Sequence, residues 1–223
     1  MTTLLLTGEG RYSDPWHPFA ETTSALVAVL TARGHRVEVR GDVDRALSDI
    51  ATGRVTVPDL LVVNSGLPRD GQPTPSPEGR SALALIERSA TPVLGIHVSS
   101  TTFIDAPEWP ALLGGRWIRG VSKHPDFGPA RIQRATEPHP AIEHVTDFDV
   151  EDERYSLLEV DPAAQVLATH HDEGRDHPIA WALERAGGGR TVYDALGHNA
   201  ASFTSRGHLA LLAGALEWLR TES

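Results

Sequence analysis

A parallel, doubly wound α/β sheet is predicted by the first hundred residues. Four short apolar runs of strand length occur there, separated by helical patterns or polar crossovers. Size agrees: 223 residues with 40% apolar content suit one large domain, spanning 1–223, with a substantial core. No internal repeat is visible, and no linker divides the chain.

Thr3–Thr7 is a short apolar run of the kind buried on both faces of a parallel sheet. A Gly-containing polar loop from Gly8 to Pro18 follows. Phe19, Leu26, Val27 and Leu30 then recur at helical spacing, with Gly34 at a natural helix end. His35–Arg40 alternates, with Val37 and Val39 on one face, and predicts a second strand towards the sheet edge. Asp42 is placed to cap a short helix through Ile50. Asp59–Asn64 is a third, buried strand. Gly66–Pro77 is rich in Pro and Gly and predicts an exposed loop. Ser76-Pro77 supplies a cap and a first-turn proline, and Leu83, Ile86 and Ala90 give the helix an inward stripe. Thr91–Ile96 is the fourth strand and runs into His97.

From about Pro107 the rhythm changes. Glu108–Gly115 reads as a short helix ended by Gly114-Gly115. β-like runs follow at Ala130–Ala135, Val166–His170, Ile179–Glu184 and Thr191–Leu196, and Ser205 opens a last helix with Leu209, Leu212, Leu216 and Leu219 inward. This half is expected to add strands and loops that close over the sheet.

Composition excludes several functions. The net charge is −10 with no Lys/Arg stripe, which argues against nucleic-acid and anionic-membrane partners. No cysteine is present, so disulfides, thiolate metal sites and thiol nucleophiles are excluded. The first residues lack a basic leader, and no run approaches the ~18 apolar residues of a membrane span. A cytoplasmic location is expected.

Ligands of parallel sheets sit beyond the carboxyl ends of the strands, here Thr7–Gly10, Asn64–Gly66 and Ile96–Ser100. At Gly95-Ile96-His97-Val98-Ser99-Ser100 a buried strand must turn sharply, and His97 takes the elbow position where α/β enzymes present a nucleophile. An imidazole there can accept a proton, bind a metal or bond a substrate hydroxyl; it can equally serve only the local backbone. A second strand runs through Gly197 into His198, a ligand or a capping residue. Asp152-Glu153-Arg154-Tyr155 places two carboxylates and a phenol in a loop-like stretch, where Glu153 matters if the fold carries it to the histidines. Trp109 and Trp117, near Lys123 and His124, are either core or a stacking surface for a sugar ring. His17 lies in the loop after the first strand. His139 and His177 each precede proline and fit turn positions. His170 and His171 are adjacent in a strand, so they face opposite sides and cannot readily share an ion.

These fragments, taken in order, resemble the ThuA-like (trehalose utilisation) family: Trp16-His17-Pro18-Phe19, Gly95-Ile96-His97, Glu108-Trp109-Pro110 with Leu112-Leu113-Gly114-Gly115, Lys123-His124-Pro125, His139-Pro140, Asp152-Glu153-Arg154-Tyr155, His177-Pro178-Ile179-Ala180-Trp181, and Gly189-Arg190 to Gly197-His198. The resemblance covers nearly the whole chain. It implies a class I glutamine amidotransferase-like fold, a flavodoxin-like three-layer sandwich with a mostly parallel sheet. His97 stands where amidotransferases of that group carry the cysteine, so thiolate glutaminase chemistry is excluded. Two departures from the family pattern bear on specificity: Asp194 replaces a small hydroxyl residue, and the Arg69–Pro77 loop is particular to this chain.

The resemblance implies a role in trehalose or keto-sugar utilisation. The expected catalytic residues are His97, Glu153 and His198, and the expected sugar-binding residues are His17, Trp109, Trp117 and Tyr155. His97, His124, Glu153 and His198 form the expected ligand set for a divalent metal such as zinc, which would polarise a carbonyl or activate water. Without metal, His97 and Glu153 would act as acid and base. A non-catalytic sugar-binding or regulatory module on the same fold is the alternative, and a serine hydrolase using Ser99 or Ser100 is a third reading. A small sugar is the expected ligand and a homodimer the expected assembly.

Overall fold

A computed structural model describes residues 1–220. Eleven strands and five α-helices follow in chain order: β1 (Thr2–Thr7), α1 (Phe19–Thr31), β2 (Arg36–Arg40), α2 (Val43–Ala51), β3 (Leu60–Asn64), α3 (Pro77–Glu87), β4 (Val93–Ile96), α4 (Glu108–Leu113), β5 (Gly115–Arg116), β6 (Gly128–Arg134), β7 (Phe148–Asp152), β8 (Glu159–Val160), β9 (Gln165–Asp172), β10 (Arg175–Glu184), β11 (Arg190–Asp194) and α5 (Arg206–Arg220).

Nine strands form one sheet in the order β2-β1-β3-β4-β11-β10-β9-β6-β7, and β5 pairs with β8 separately. From β2 to β11 every pairing is parallel. From β11 to β7 every pairing is antiparallel. The expected parallel α/β core is present, and the second half of the chain extends its sheet as a wing. The central strands are apolar throughout: Leu60–Val63 and Val93–Ile96 are buried on both faces. Edge strand β2 alternates polar and apolar residues and is half open.

The helix starts follow local chemistry. Ser76 accepts from the Gly79 amide and Pro77 fills the first turn of α3, as expected. Asp42 sits at the start of α2 but makes no cap bond; its carboxylate is taken by the Arg40 guanidinium at 2.6 and 2.7 Å.

Three expectations are corrected. Gly66–Pro77 is not simply exposed: Thr74 is 2% accessible. Its hydroxyl donates to the Thr102 carbonyl and its amide to Asp105, so neighbours satisfy backbone that a surface loop would leave to water. His177 lies inside β10 and is buried, not in a turn. Asp152 ends a regular strand, β7, in which Phe148, Val150 and Asp152 face inward. That alternation is hard to read because the inward set finishes in a carboxylate.

The wing's direction matters for the site. Four successive antiparallel pairings leave β7 pointing the same way as the parallel strands, so its carboxyl end reaches the edge where β1, β4 and β11 end. Three strands separate β7 from β11 in the sheet, yet the Asp152 carboxylate accepts from the Gly197 and His198 amides. The wing therefore curls back over the parallel edge. Helix α5 holds it there: a side chain at Gly207 would strike Phe148 on β7. Among the described residues, no helix is long and apolar enough to cross a membrane.

Candidate functional site

β4 ends at Ile96, and His97 turns the chain with φ +46°, a left-handed conformation that costs a non-glycine residue about 1–3 kcal/mol. The turn is held from both sides. Tyr193 donates to the His97 carbonyl at 2.7 Å, and His97 Nδ1 lies 2.6 Å from the Ala195 carbonyl. A carbonyl only accepts, so Nδ1 carries the proton and Nε2 presents its lone pair to the site. There Tyr155 donates to Nε2 at 3.0 Å.

His17 is oriented by Asp14, three residues earlier in the loop after β1. The Asp14 carboxylate accepts from the Trp16 and His17 amides and lies 2.8 Å from His17 Nδ1. Nδ1 therefore bears the proton. His17 Nε2 is buried and has no hydrogen-bond partner among the described residues.

Asp152, fully buried, organises the third wall. One carboxylate accepts from the amides of Glu153, Gly197 and His198 and so fixes the residue that follows β7 against the segment that follows β11. Gly197 has φ +112°, a conformation open to glycine, and lets the chain bring His198 alongside. Glu153 Oε2 is then 3.3 Å from His198 Nδ1 and 3.4 Å from His97 Nε2.

His17, His97, His198 and Glu153 thus converge, with one ligand atom from each lying within 4.8 Å of the others. The rings of the three histidines are 5.1 to 5.4 Å apart, mutually edge-on. Burial alone would raise the Glu153 carboxyl, but the adjoining His198 ring, and after it His97, hold it well below the usual range. Burial lowers His17 despite Asp14, favouring a neutral ring. Burial would lower His198 too, but Glu153 outweighs it and raises this ring. The Tyr155 phenol is pushed well above its ordinary value, first by burial, and stays a donor.

This group could hold a metal ion. Three nitrogens and one carboxylate oxygen suit zinc or a similar divalent cation. Two of the imidazoles have their far nitrogen bound to an oxygen, Asp14 for His17 and the Ala195 carbonyl for His97. That arrangement commonly fixes the tautomer of a metal-bound histidine. A buried His17 Nε2 without a partner is otherwise costly.

Two members of the group, His17 and Glu153, line a cavity of about 660 Å³, whose wall also includes Trp16, Trp117, His124 and Tyr155. Trp117 packs edge-on against Tyr155, with ring centroids 4.7 Å apart, and borders the opening. Trp109 also borders it but is 1% exposed, with its indole N–H donated to the Ser99 carbonyl. The grouping differs from the expected metal set in one member. His17 takes the place of His124, which stands at the rim with Nδ1 3.7 Å from Glu153 Oε1. Ser99 and Ser100 receive no hydrogen bond from a histidine ring among the described residues; the Ser100 hydroxyl is engaged by Tyr193.

Two organising residues escape a reading of the sequence. Asp14 has a signal, the Asp-x-x-His spacing in a loop that favours side-chain to backbone bonding. Asp152 has none that separates it from a solvated neighbour of Glu153.

The sequence profile of the ThuA family, described as trehalose utilisation, matches residues 6–219. No curated protein matches the chain. Among solved structures, a ThuA-like protein from Parabacteroides merdae is similar with TM-score 0.74 and 18% identity, over 99% of this chain and 90% of that one. A ThuA-like protein from Bacteroides uniformis gives TM-score 0.74 and 15% identity, over 98% and 90%. A glutamine amidotransferase from Thermotoga maritima gives TM-score 0.52 and 11% identity, over 87% and 74%. The fold is therefore amidotransferase-like, as the resemblance implied, with an imidazole at the elbow.

Proposed function

We propose, from the premise that this chain belongs to the ThuA family, that it is an enzyme of carbohydrate utilisation. It converts a trehalose-type or oxidised (keto) sugar in the cavity above His17, His97, His198 and Glu153, which hold a divalent cation such as zinc. When bound, such an ion polarises a substrate carbonyl or lowers the pKa of a water.

The chain's own residues divide the remaining work. Glu153 is kept ionised by His198 and His97, so it can ligate without first losing a proton. Asp14 orients the His17 ring and Asp152 fixes the His198 backbone, so both are positioned before binding. Tyr155 keeps its proton and offers it next to His97 Nε2, where a substrate oxygen can take the bond. Trp117 and Trp16 give the sugar ring apolar faces at the opening.

One observation carries the reading: a buried imidazole nitrogen without a hydrogen-bond partner among the described residues, His17 Nε2, beside two further imidazoles and a carboxylate, with His17 and Glu153 lining a cavity. The test is turnover of trehalose and of its keto derivative by metal-stripped and zinc-loaded protein. Conversion that needs the metal is expected. Full conversion without metal would remove the ion from the mechanism. Stabilisation by the sugars with no conversion in either state would favour a binding module instead.

A further inference from the structure

Three arginines border the cavity: Arg69, Arg116 and Arg119. Arg116 is occupied by Glu159, 2.9 Å away. Arg69 and Arg119 form no ion pair among the described residues, although the chain carries a net charge of −10. Arg69 is also preorganised. Its guanidinium lies 4.5 Å from the ring centroid of Trp16, a tryptophan that is 56% exposed at the same opening.

The charges are segregated along the cavity. Its wall carries the carboxylates Asp14 and Glu153 beside the histidines, while the exposed guanidiniums stand at the mouth. The exposed guanidiniums attract an anionic group. A neutral disaccharide could accept hydrogen bonds from both guanidiniums but would leave their charges unmatched. We infer that the preferred substrate is a sugar derivative bearing a carboxylate or phosphate, held by Arg69 and Arg119 at the mouth so that its uncharged end meets the histidine floor. This rests on the proposal that the cavity takes a sugar. It adds a charge requirement that the two residues, one of them on the Arg69–Pro77 loop, impose on specificity.

Calorimetric titration of the full chain with glucose, glucuronate and glucose 6-phosphate tests it. At least one of the anionic sugars is expected to bind about tenfold or more tighter than glucose, the range of two charge-assisted contacts near a surface. Which of the two does so separates carboxylate from phosphate. The advantage should shrink in 0.5 M salt and disappear in the Arg69→Gln/Arg119→Gln double variant, with each single variant intermediate. Both residues are exposed, so folding is not at stake. Equal affinity for glucose and both anionic sugars, or an advantage that survives the double substitution, would overturn the inference. Zinc titration of the same double variant is independent. Unchanged zinc binding with loss of the anion preference supports the mouth assignment whatever the floor does. A wild type that binds no zinc but prefers anionic sugars sinks the metal reading and leaves this one standing.

Discussion

Two clusters of histidine and carboxylate lie at the end of strand β11, one on its last residue Asp194 and one beside the segment that follows it, and they differ in how completely their polar atoms are satisfied. In the inner cluster, His208 Nε2 lies 2.9 Å from Asp194, and Nδ1 lies 2.9 and 3.0 Å from the Ser202 hydroxyl and carbonyl. His208 and Asp194 are each about 1% exposed. Both ring nitrogens have a partner. In the outer cluster, His17 Nε2 has none among the described residues, and His17 lines a cavity. Residue types are the same. A closed set of bonds holds a helix to a strand, whereas an open one leaves coordination for a ligand.

Removing a closed cluster should cost stability and little else. His208→Ala is expected to lower the unfolding free energy by about 3–5 kcal/mol, because a buried carboxylate loses its partner. Zinc affinity should stay within about threefold. Urea unfolding and zinc titration read the two; a collapse of zinc binding in folded protein would show one network rather than two. The pH trend has a definite sign. Burial alone would lower His208, but Asp194 raises it above its unfolded value. The stabilisation is therefore fully present below about pH 6.5 and is lost as pH rises through the folded value. The gap between wild type and His208→Ala should narrow on the alkaline side.

Opening the outer cluster should act first on the metal. Glu153→Gln is expected to weaken zinc binding at least about 100-fold, roughly 2.7 kcal/mol, and to lower the metal-free unfolding midpoint by the stabilisation that His198 and His97 give the ionised carboxylate. Competition with a chelator measures the first and thermal melting the second. On acidification, zinc release should follow protonation of His198, which Glu153 raises against the effect of burial, and not protonation of Glu153, which stays ionised. Asp14→Asn sharpens the comparison further. It leaves all four ligand residues in place but loosens His17, so a loss of about tenfold in zinc affinity is expected. Tyr155→Phe should show the smallest effect, about 1 kcal/mol of stability with zinc affinity within about twofold, since His97 keeps its bond to the Ala195 carbonyl.

The parallel half of the fold was legible because its strands are continuous apolar runs and its helix ends carry their own signals, as at Ser76-Pro77 and Gly34. The wing was legible only in pieces: its strands could be found, but their antiparallel order and their curl depend on contacts such as Gly207 on Phe148. In the site, His97 and His198 were marked by their place after apolar strands. Glu153 could be named as a carboxylate of the Asp152-Glu153-Arg154-Tyr155 stretch, but its approach to the histidines depends on the Asp152 bonds to Gly197 and His198. The exchange of His17 for His124 has the same origin. Which of two loop histidines points inward is decided by a carboxylate three residues away, Asp14, and not by the spacing of the histidines themselves.

The most direct measurement of the central claim is a zinc titration of metal-stripped protein followed by NMR of the histidine rings. The account predicts saturation at one equivalent, with the resonances of His17, His97 and His198 shifting together while His124 and His208 stay in place. Absence of saturable binding, or shifts confined to exposed rings such as His171, would contradict it.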